Sequence, residues 1–302
     1  MGPQAVATGG LLARRPLERP LRVAFLGDPA WLSACCPPGA SGALLAERFP
    51  YRPGEDAAAS GRAAREWRPD VCVAFDPASL PAELLAELPG ARLGIILAGA
   101  EEEPAEWRAE GLDRLASFRP ELTAAQAGGM PLWRAFPPPV ADELYAPVRP
   151  MAHPPRAMSI GRATRHREDI LTPAKHHHDL LQAIHGVEGA QLARLLAEHD
   201  VGVYVPPWPG PGFGVQAGVH LAAGQLLVSQ PLGPAHGLER GIDYVQFHAA
   251  EELVWILDRL RRFPEMHQRE RVRGRMKAEW FRASRLFERI AGDLLADIAA
   301  FG

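Results

Sequence analysis

The sequence predicts an α/β protein made of two doubly wound domains that face each other across a cleft. Three observations support this fold class. Residues 201–229 read as a strand, a Pro/Gly-rich turn, a helix and a second strand, which is a βαβ unit of a parallel sheet. Short apolar strands alternate with helices from residue 21 to residue 118. Prolines and glycines then break every regular pattern between residues 119 and 155, as expected for a hinge region.

The first domain is predicted over residues 21–140, after a flexible tail rich in Gly, Pro and Arg at residues 1–20. Pro81 suits the first turn of a helix, and the glutamates at residues 101–103 suit the positive end of another helix. The predicted strands lie at residues 21–26, 71–75 and 93–97, and the predicted helices at residues 41–48, 62–67, 81–88 and 101–108.

Residues 141–155 are predicted as the linker, and residues 156–302 as the second domain. The predicted strands of this domain lie at residues 157–160, 178–185, 201–205, 225–229 and 242–247. The first predicted helix of this domain begins after residue 162. The others lie at residues 189–198, 215–223, 251–262 and 265–299. We expect the last helix to be long enough to return to the first domain.

Composition limits the class of protein. Hydrophobic residues make up 47% of the chain and charged residues 23%, as in globular proteins, and the net charge of −3 gives no case for a nucleic-acid partner. Three cysteines do not make a disulfide framework, which favours a reducing compartment. With no signal peptide and no apolar run of membrane-spanning length, we expect a soluble cytoplasmic protein.

The turn before the third helix of the second domain is a candidate ligand-binding loop. Gly212, Phe213 and Gly214 stand directly before the predicted helix. Glycines let backbone N–H groups approach a ligand, and the N-terminus of a helix favours anions such as a phosphate or a sugar nucleotide. A purely structural turn explains the same glycines equally well.

The order of these segments resembles that of the GT-B glycosyltransferases, which use nucleotide-sugar donors, and in particular the retaining group 1 and spore-protein types. The segments that carry the resemblance are residues 111–117 (GLDRLAS) with 132–147 (LWRAFPPPVADELYAP), residues 159–162 (SIGR), residues 189–229 with GFG and LAAGQLLVS, and residues 237–247 (GLERGIDYVQF). The resemblance implies two Rossmann-like domains and transfer of a sugar to an unidentified acceptor, with no cofactor beyond the donor itself.

The resemblance also implies where the donor would bind. The implied donor-binding residues are Arg162, Arg165, His185, Gly212, Phe213, Gly214, Gln216, His220 and Gly224. Arg162 follows a strand at the edge where ligands of open α/β sheets gather, and its guanidinium would neutralise a leaving diphosphate. Solvent-facing arginines and hydrogen-bonded structural histidines are the alternatives for Arg165, His185 and His220.

The sequence departs from the family at two positions. Many retaining members have glutamates eight residues apart where this chain has Pro211 and Val219. The second glutamate normally holds the ribose, so ribose binding would fall to Gln216 or His220. Residues 21–150 also contain no histidine, although many members use one near the sugar. These departures keep a non-catalytic binding or scaffolding protein open as an alternative, and a sugar-nucleotide epimerase as a further one.

The acid–base chemistry depends on the stereochemical course. An inverting transferase needs a carboxylate base, and Asp28 and Asp76 each follow a strand of the first domain, although helix capping explains such aspartates too. In a retaining transferase the leaving phosphate itself can receive the proton. We expect no metal, because the adjacent histidines at residues 176–178 would not converge on one ion and no Asp-x-Asp pair is present.

A basic stretch covers residues 261–289, with ten Arg or Lys residues against four glutamates. Such stretches bind anionic membranes or nucleic acid in some proteins, but more often they form a solvated face with ion pairs. The predicted partners are therefore a nucleotide sugar and an unknown acceptor, with membrane-surface contact as the less favoured alternative.

Overall fold

A computed structural model describes residues 19–52, 57–97, 110–119, 132–183 and 187–301. The predicted helix at residues 101–108 lies outside these ranges. The first lobe contains, in chain order, β1 (Leu21–Gly27), α1 (Pro29–Cys35), β2 (Ala40–Ser41), β3 (Leu44–Pro50), α2 (Ala57–Trp67), β4 (Val71–Phe75), α3 (Ala82–Glu87), β5 (Ala91–Ile96), β6 (Arg114–Ser117) and β7 (Leu132–Ala135).

The strands of the first lobe form one sheet in the order β2-β3-β1-β4-β5-β6-β7, parallel except for the β2–β3 pair. Side chains of β1 alternate between two apolar layers, with Val23 and Phe25 in one and Ala24 and Leu26 in the other. A strand that is buried on both faces reads as a continuous apolar run, which explains why β1 was predictable. The strand order reverses between β1 and β4, which defines the first switch point.

The second lobe has its own five-stranded sheet. Its elements are β8 (Ala157–Ile160), α4 (Arg165–His178), β9 (Leu181–Ala183), α5 (Gly189–Glu198), β10 (Val201–Tyr204), α6 (Val215–Ala222), β11 (Leu226–Ser229), β12 (Val245–Gln246), α7 (Ala250–Arg262), α8 (Gln268–Lys277) and α9 (Ala283–Phe301). All strand pairs are parallel, in the order β12-β11-β10-β8-β9. The second switch point lies between β8 and β10.

The chain crosses between the lobes twice, and the two crossings are hydrogen-bonded to each other. The N–H of Val140 donates to the carbonyl of Phe281 over 2.7 Å, and the N–H of Ala283 donates to the carbonyl of Val140 over 2.9 Å. Asp142 accepts bonds from both the N–H (3.0 Å) and the hydroxyl (2.7 Å) of Ser284, at the start of α9. These bonds fix the path by which the last helix leaves the second lobe.

Helix α9 packs against the sheet of the first lobe. The ring of Phe287 meets the ring of Phe25 edge to face, with centroids 4.6 Å apart. Nearer its end, α9 forms an ion pair of 2.6 Å from Asp297 to Arg114 on β6. The lobes are thus joined by apolar packing as well as by the chain crossings. None of the described helices combines the length and apolar character needed to cross a bilayer.

Several predicted elements differ in type or extent, among them the strand predicted at 242–247, of which β12 covers Val245–Gln246. Residues 44–50 form strand β3 instead of part of a helix over 41–48, and their burial alternates because β3 pairs with β1. Of the strand predicted at 178–185, residue 178 belongs to α4 and β9 covers Leu181–Ala183, while residues 184 and 185 lie outside the described residues. The helix predicted over 265–299 is divided into α8 and α9 by a 3-10 turn, Ala278–Phe281, where the chain crosses back.

Candidate functional site

The carboxyl edges of the two sheets face one another. Arg52 lies just after β3, and Glu188 lies just before α5, so each belongs to the carboxyl edge of its own sheet. The guanidinium of Arg52 and the carboxylate of Glu188 are 3.3 Å apart, which places these two edges across one cleft. Ligands of open α/β sheets bind at this edge, at the switch point. The candidate site therefore lies between the two switch points.

Arg167 is a buried charge beneath the second switch point. Its side chain is 5% exposed, with Nε donating to the carbonyl of Val205 and Nη1 to the carbonyl of Arg162, both over 2.9 Å. It thereby connects the loops that follow β8 and β10. Burial lowers the pKa of the Arg167 guanidinium below its ordinary value, though far too little to discharge it at neutral pH. In the part of the chain that the structure describes, no carboxylate pairs with it.

Two further contacts fix the loop after β8. Gly161 has a φ of +131°, and a Cβ atom at this position would collide with the guanidinium of Arg167. Thr164 caps α4 by accepting from the N–H of Arg167 over 3.3 Å and donates its own hydroxyl to the carbonyl of Pro207 over 2.8 Å. The loop after β8 is thereby tied to the loop after β10.

Arg162 and Arg165 are both exposed at this edge. Arg162 lies two residues after the end of β8, and Arg165 begins α4. Their side chains are available to a ligand that approaches from the cleft. Together with Arg167 below them, they make the edge of the second sheet strongly positive, which suits an anionic ligand.

The glycines of the GFG turn use their N–H groups within the protein. The N–H of Gly212 donates to the carbonyl of Pro231 over 3.2 Å, and the Gly214 backbone hydrogen-bonds the buried hydroxyl of Tyr204. A Cβ atom at Gly214 would come within 3.0 Å of that hydroxyl. We predicted that these two N–H groups would contact a ligand, and in this structure both are already occupied.

The first turn of α6 offers donors instead. Gly214 is the N-cap and provides no side-chain cap, and the first turn contains no acidic residue. Val215 and Gln216, as the first residues of the helix, have N–H groups without an intrahelical acceptor. The positive end of α6 is thus uncompensated at the same edge as Arg162. Gln216 is half-buried there, with its amide oxygen turned back toward Gly214.

Phe213 points away from the donors of α6. Its ring packs against Phe281 at 5.5 Å and against His236 at 4.9 Å, centroid to centroid. Phe281 belongs to the turn where the chain crosses back to the first lobe. Phe213 therefore connects the GFG turn to the hinge, and its predicted contact with a donor stays a prediction.

A polar pair lies beside the arginines. Nε2 of His166 and Oε1 of Gln230 are 2.9 Å apart, and Gln230 directly follows β11. Because His166 belongs to the first turn of α4, this hydrogen bond passes over the end of β10, which lies between β8 and β11 in the sheet. The sequence analysis did not select either residue.

His220 lies in the core, so its predicted donor contact is not supported. Its ring is fully buried, packs on the backbone of Gly202 and hydrogen-bonds Gln225 through Nδ1 over 2.6 Å. The ring has no exposed atom to offer a ligand. Burial lowers the pKa of His220 from 6.5 to about 4.

The lowered pKa makes stability depend on pH. Between pH 6.5 and pH 4 the unfolded chain binds a proton at His220 that the folded chain does not, so stability falls as pH falls through this window. In His220→Gln the amide can still donate to Gln225. We expect the free energy of unfolding of this variant to fall by roughly 3 kcal/mol less than that of the wild type between pH 6.5 and pH 4. Urea unfolding at a series of pH values measures it. His176→Gln, at an exposed position, is the control, and an unchanged pH dependence in His220→Gln would contradict the assignment.

Gly224 is also far from the cleft. It has a φ of +71° at the C-terminal end of α6, and its carbonyl accepts from Nε of Arg271 over 2.7 Å. Because α6 begins at the carboxyl edge, its last turn lies at the opposite, amino edge of the sheet. This position does not support the predicted donor contact of Gly224, which stays a prediction. The residue ends the helix and lies against the linker at Pro147. His185 lies outside the described residues.

The first lobe brings its two candidate carboxylates to one place. Asp28 caps α1 by accepting from the N–H of Ala30 over 2.8 Å, and Asp76 follows β4 with a left-handed φ of +52°. The pKa of Tyr51 is raised to about 12. Burial is the main cause, and the charges of Asp76 and Asp28 add to the rise. Asp28 and Asp76 follow β1 and β4, the two neighbouring strands that define the first switch point. Asp76 is strained, because it is a non-glycine residue with a left-handed backbone, and residues of this kind often mark functional positions.

Arg167 is not among the donor-binding residues that were predicted from the sequence. A signal was nevertheless present. Arg167, Leu171 and Ala174 occupy positions i, i+4 and i+7 of α4, and all three are buried. An arginine in the apolar stripe of a helix indicates a buried guanidinium with carbonyl partners.

Within the described ranges, no three His, Cys, Asp or Glu side chains are grouped to hold a metal ion.

No family model matches this chain, and no curated protein matches it either. Solved structures of similar fold exist. HepE (Alr3699) of Anabaena in complex with UDP-glucose has 15% identity and a TM-score of 0.54, with 91% of this chain and 100% of that chain covered. The sucrose-phosphate synthase of Thermosynechococcus elongatus has 12% identity and a TM-score of 0.56, with 93% and 100% covered.

A third similar structure is AviGT4, a glycosyltransferase involved in avilamycin A biosynthesis. It has 16% identity and a TM-score of 0.54, with 94% of this chain and 99% of that chain covered. Alignments of this length, across both lobes, show that the chain has the GT-B fold of two Rossmann-like domains, as the sequence predicted. At these identities the similarity concerns the fold alone.

Proposed function

We propose that this protein is a glycosyltransferase that moves a sugar from a nucleotide-sugar donor to an acceptor bound by the first lobe. One observation carries the proposal. Arg162, Arg165 and the buried Arg167 lie in or just after the loop that follows β8, at the carboxyl edge of the second sheet where the uncompensated N-terminus of α6 also lies, and a second Rossmann-like lobe faces this edge. Four positive features within one edge match a diphosphate better than a neutral ligand. The GT-B fold, found in structures with UDP and UDP-glucose, supports the same conclusion.

The diphosphate would be held by donors of two kinds. The exposed guanidinium of Arg162 would contact a phosphate directly, and the N–H groups of Val215 and Gln216 would contact it from the start of α6. Arg167 would act as a positioning residue, because both of its bonded nitrogens hold the loops that present these donors. Charge that develops on the leaving diphosphate would be stabilised by groups already in place.

We propose a retaining and metal-independent reaction. In such a reaction the acceptor hydroxyl would attack from the side of the leaving group, and a phosphate oxygen would take its proton. The arginines would then replace a metal ion as the source of positive charge. An inverting reaction would instead need a base, for which Asp28 and Asp76 are the candidates at the first switch point.

Donor binding is tested by titration calorimetry with UDP-, GDP- and ADP-sugars. We expect one of these classes to bind, and we expect Arg162→Ala to weaken that binding by roughly 10- to 100-fold, because a charge-assisted hydrogen bond is lost. The matched control is Arg194→Ala on α5, since this arginine is exposed and, among the described residues, forms its ion pair with Glu198 on the same helix. Absence of heat with every donor, or equal loss in both variants, would count against the proposal.

A non-catalytic binding or scaffolding protein is the second candidate. It is favoured by Pro211 and Val219, which replace the two glutamates of many retaining members, and Val219 is 2% exposed within the core. The two candidates differ in turnover. Release of nucleotide diphosphate or transfer of sugar from any donor would exclude the scaffold, whereas tight donor binding without turnover on any acceptor would favour it.

A further inference from the structure

The outward side of α8 presents large apolar side chains to solvent. Val272, Met276 and Trp280 are 39%, 67% and 57% exposed. They are spaced four residues apart, so they form one stripe along α8 and the 3-10 turn that follows it. The other side of α8 packs on β11. A stripe of this kind on a folded, well-packed helix needs an explanation, because exposed apolar residues that cluster mark interaction sites.

Cations flank this stripe. Arg269 and Arg273 are exposed on the same side of α8, and the ammonium of Lys277 lies 4.4 Å from the centroid of the Trp280 ring. The two glutamates of the segment are paired within the protein. Glu270 pairs with His267 over 3.0 Å, and Glu279 belongs to an ion-pair network with Arg275 and Arg282 in the hinge.

The loop after β11 extends the same surface. Ile242 is 38% exposed, and its neighbour Asp243 is fully buried, 3.6 Å from Nε of Arg273 and 4.0 Å from Nζ of Lys277. These ion pairs hold Ile242 beside α8. Glu239 and Arg240 in this loop are both exposed and offset each other. Asp243 and the exposed Glu265 just before α8 offset two of the three charges of Arg269, Arg273 and Lys277, so the surface keeps a small excess of positive charge.

We propose that this surface docks on an anionic phospholipid bilayer. We call it the α8 face, consisting of Ile242, Val272, Met276, Trp280, Arg269, Arg273 and Lys277. Apolar side chains flanked by cations match the interface of such a membrane, where the apolar groups enter the headgroup region and the cations meet lipid phosphates. Trp280 suits this boundary because its ring is amphipathic.

The helix before it supplies a matched control. On α7, Trp255 is 56% exposed and Arg259 stacks between it and Phe263, at 5.4 and 5.6 Å from the two ring centroids. The exposed side of α7 also carries Glu251 and Asp258, so its charges are mixed. This cluster has the same residue types without the excess of positive charge, and we expect it to contribute little.

Vesicle cosedimentation tests the proposal with the full chain. We expect the protein to sediment with vesicles of phosphatidylcholine and phosphatidylglycerol but not with pure phosphatidylcholine, and salt to weaken binding. The double variant Arg269→Glu/Met276→Asp is expected to lower partitioning at least about tenfold, since each cation near the surface contributes on the order of 1 kcal/mol. The control variant Trp255→Ser/Arg262→Glu is expected to bind within about twofold of the unmodified protein.

Several outcomes would overturn the proposal. They are a protein that stays in the supernatant with anionic vesicles, a control variant that loses as much binding as the α8 variant, and light scattering that shows a dimer of the unmodified protein but a monomer of the α8 variant. Circular dichroism verifies that both variants are folded. Because the readout is vesicle binding, the result is independent of whether the protein transfers sugars.

Discussion

Replacing Arg167 by methionine is expected to weaken nucleotide-sugar binding by about 100-fold while leaving a folded protein. The reason is that Arg167 has two tasks at once. Its hydrogen bonds to the carbonyls of Val205 and Arg162 set the positions of both loops at the switch point, and its charge lies beneath them without a carboxylate partner in the described ranges. A 100-fold loss corresponds to about 2.8 kcal/mol, which we assign to the loops no longer being held where they present Arg162 and the start of α6.

A lysine at the same position separates the two tasks. Arg167→Lys keeps the charge but cannot bridge two carbonyls in the plane of a guanidinium, so we expect a loss of roughly tenfold, between the wild type and Arg167→Met. Calorimetry with the donor that binds measures affinity, and urea unfolding measures the accompanying loss of stability, which we expect to be about 1–3 kcal/mol. Arg194→Met is the control. Wild-type donor affinity in Arg167→Met would show that the buried charge takes no part in the site.

The central unit of the second lobe was predictable because its signals are local. Val201 and Val203 continue a β-branched run that is buried on both faces, and β10 lies where that run was found. The turn residues and the apolar helix that follows it agree with this assignment, so each level of the sequence pointed to the same structure. The same holds for β4 and β8, whose bounds match the predicted ones.

Strand β3 could not be predicted in this way. The residues from Leu44 to Arg48 favour a helix by intrinsic propensity, since Leu, Ala, Glu and Arg are good helix formers. Pairing with β1 along seven residues decided the outcome instead. A non-local partner of this kind leaves no mark within the segment itself, because strand preference depends on what the strand packs against.

The residues of the candidate site show the same difference between local signals and non-local packing. Arg162, His220 and Gly224 were all assigned from the family resemblance, and only Arg162 also had a local signal, its position after a strand. The fold places His220 in the core and Gly224 at the opposite edge of the sheet. Sequence distance does not say which way a helical side chain points or how far its last turn lies from the cleft.

The largest effect on stability is expected from Arg271 on α8, one of the ten basic residues of the stretch 261–289. Sequence alone favoured a solvated face, whereas the structure buries this side chain to 1% exposure. Its Nε donates to the carbonyl of Gly224 over 2.7 Å and its Nη1 to the carbonyl of Arg149 over 2.9 Å, and Nη2 lies 4.0 Å from the buried carboxylate of Asp200. Arg271 thus connects α8, the end of α6 and the linker.

Replacing this arginine by methionine keeps its volume and removes all three contacts. We expect Arg271→Met to lower the free energy of unfolding by about 3–5 kcal/mol, because Asp200 would remain as a buried charge whose remaining ion-pair partner in the described ranges is the exposed Arg149, at 3.6 Å. Urea unfolding measures this, with Arg269→Met at an exposed position of the same helix expected to change stability by less than about 0.5 kcal/mol.

The source of that loss can be isolated with a second substitution. If the uncompensated carboxylate is responsible, Asp200→Asn recovers part of the lost stability in the Arg271→Met background. In the unmodified protein the same substitution is destabilising, because it removes the partner of a buried guanidinium. This reversal of sign is the decisive observation. Two effects that simply add, or an Arg271→Met variant within about 1 kcal/mol of the unmodified protein, would show that the linker and the second lobe are held together without this pair.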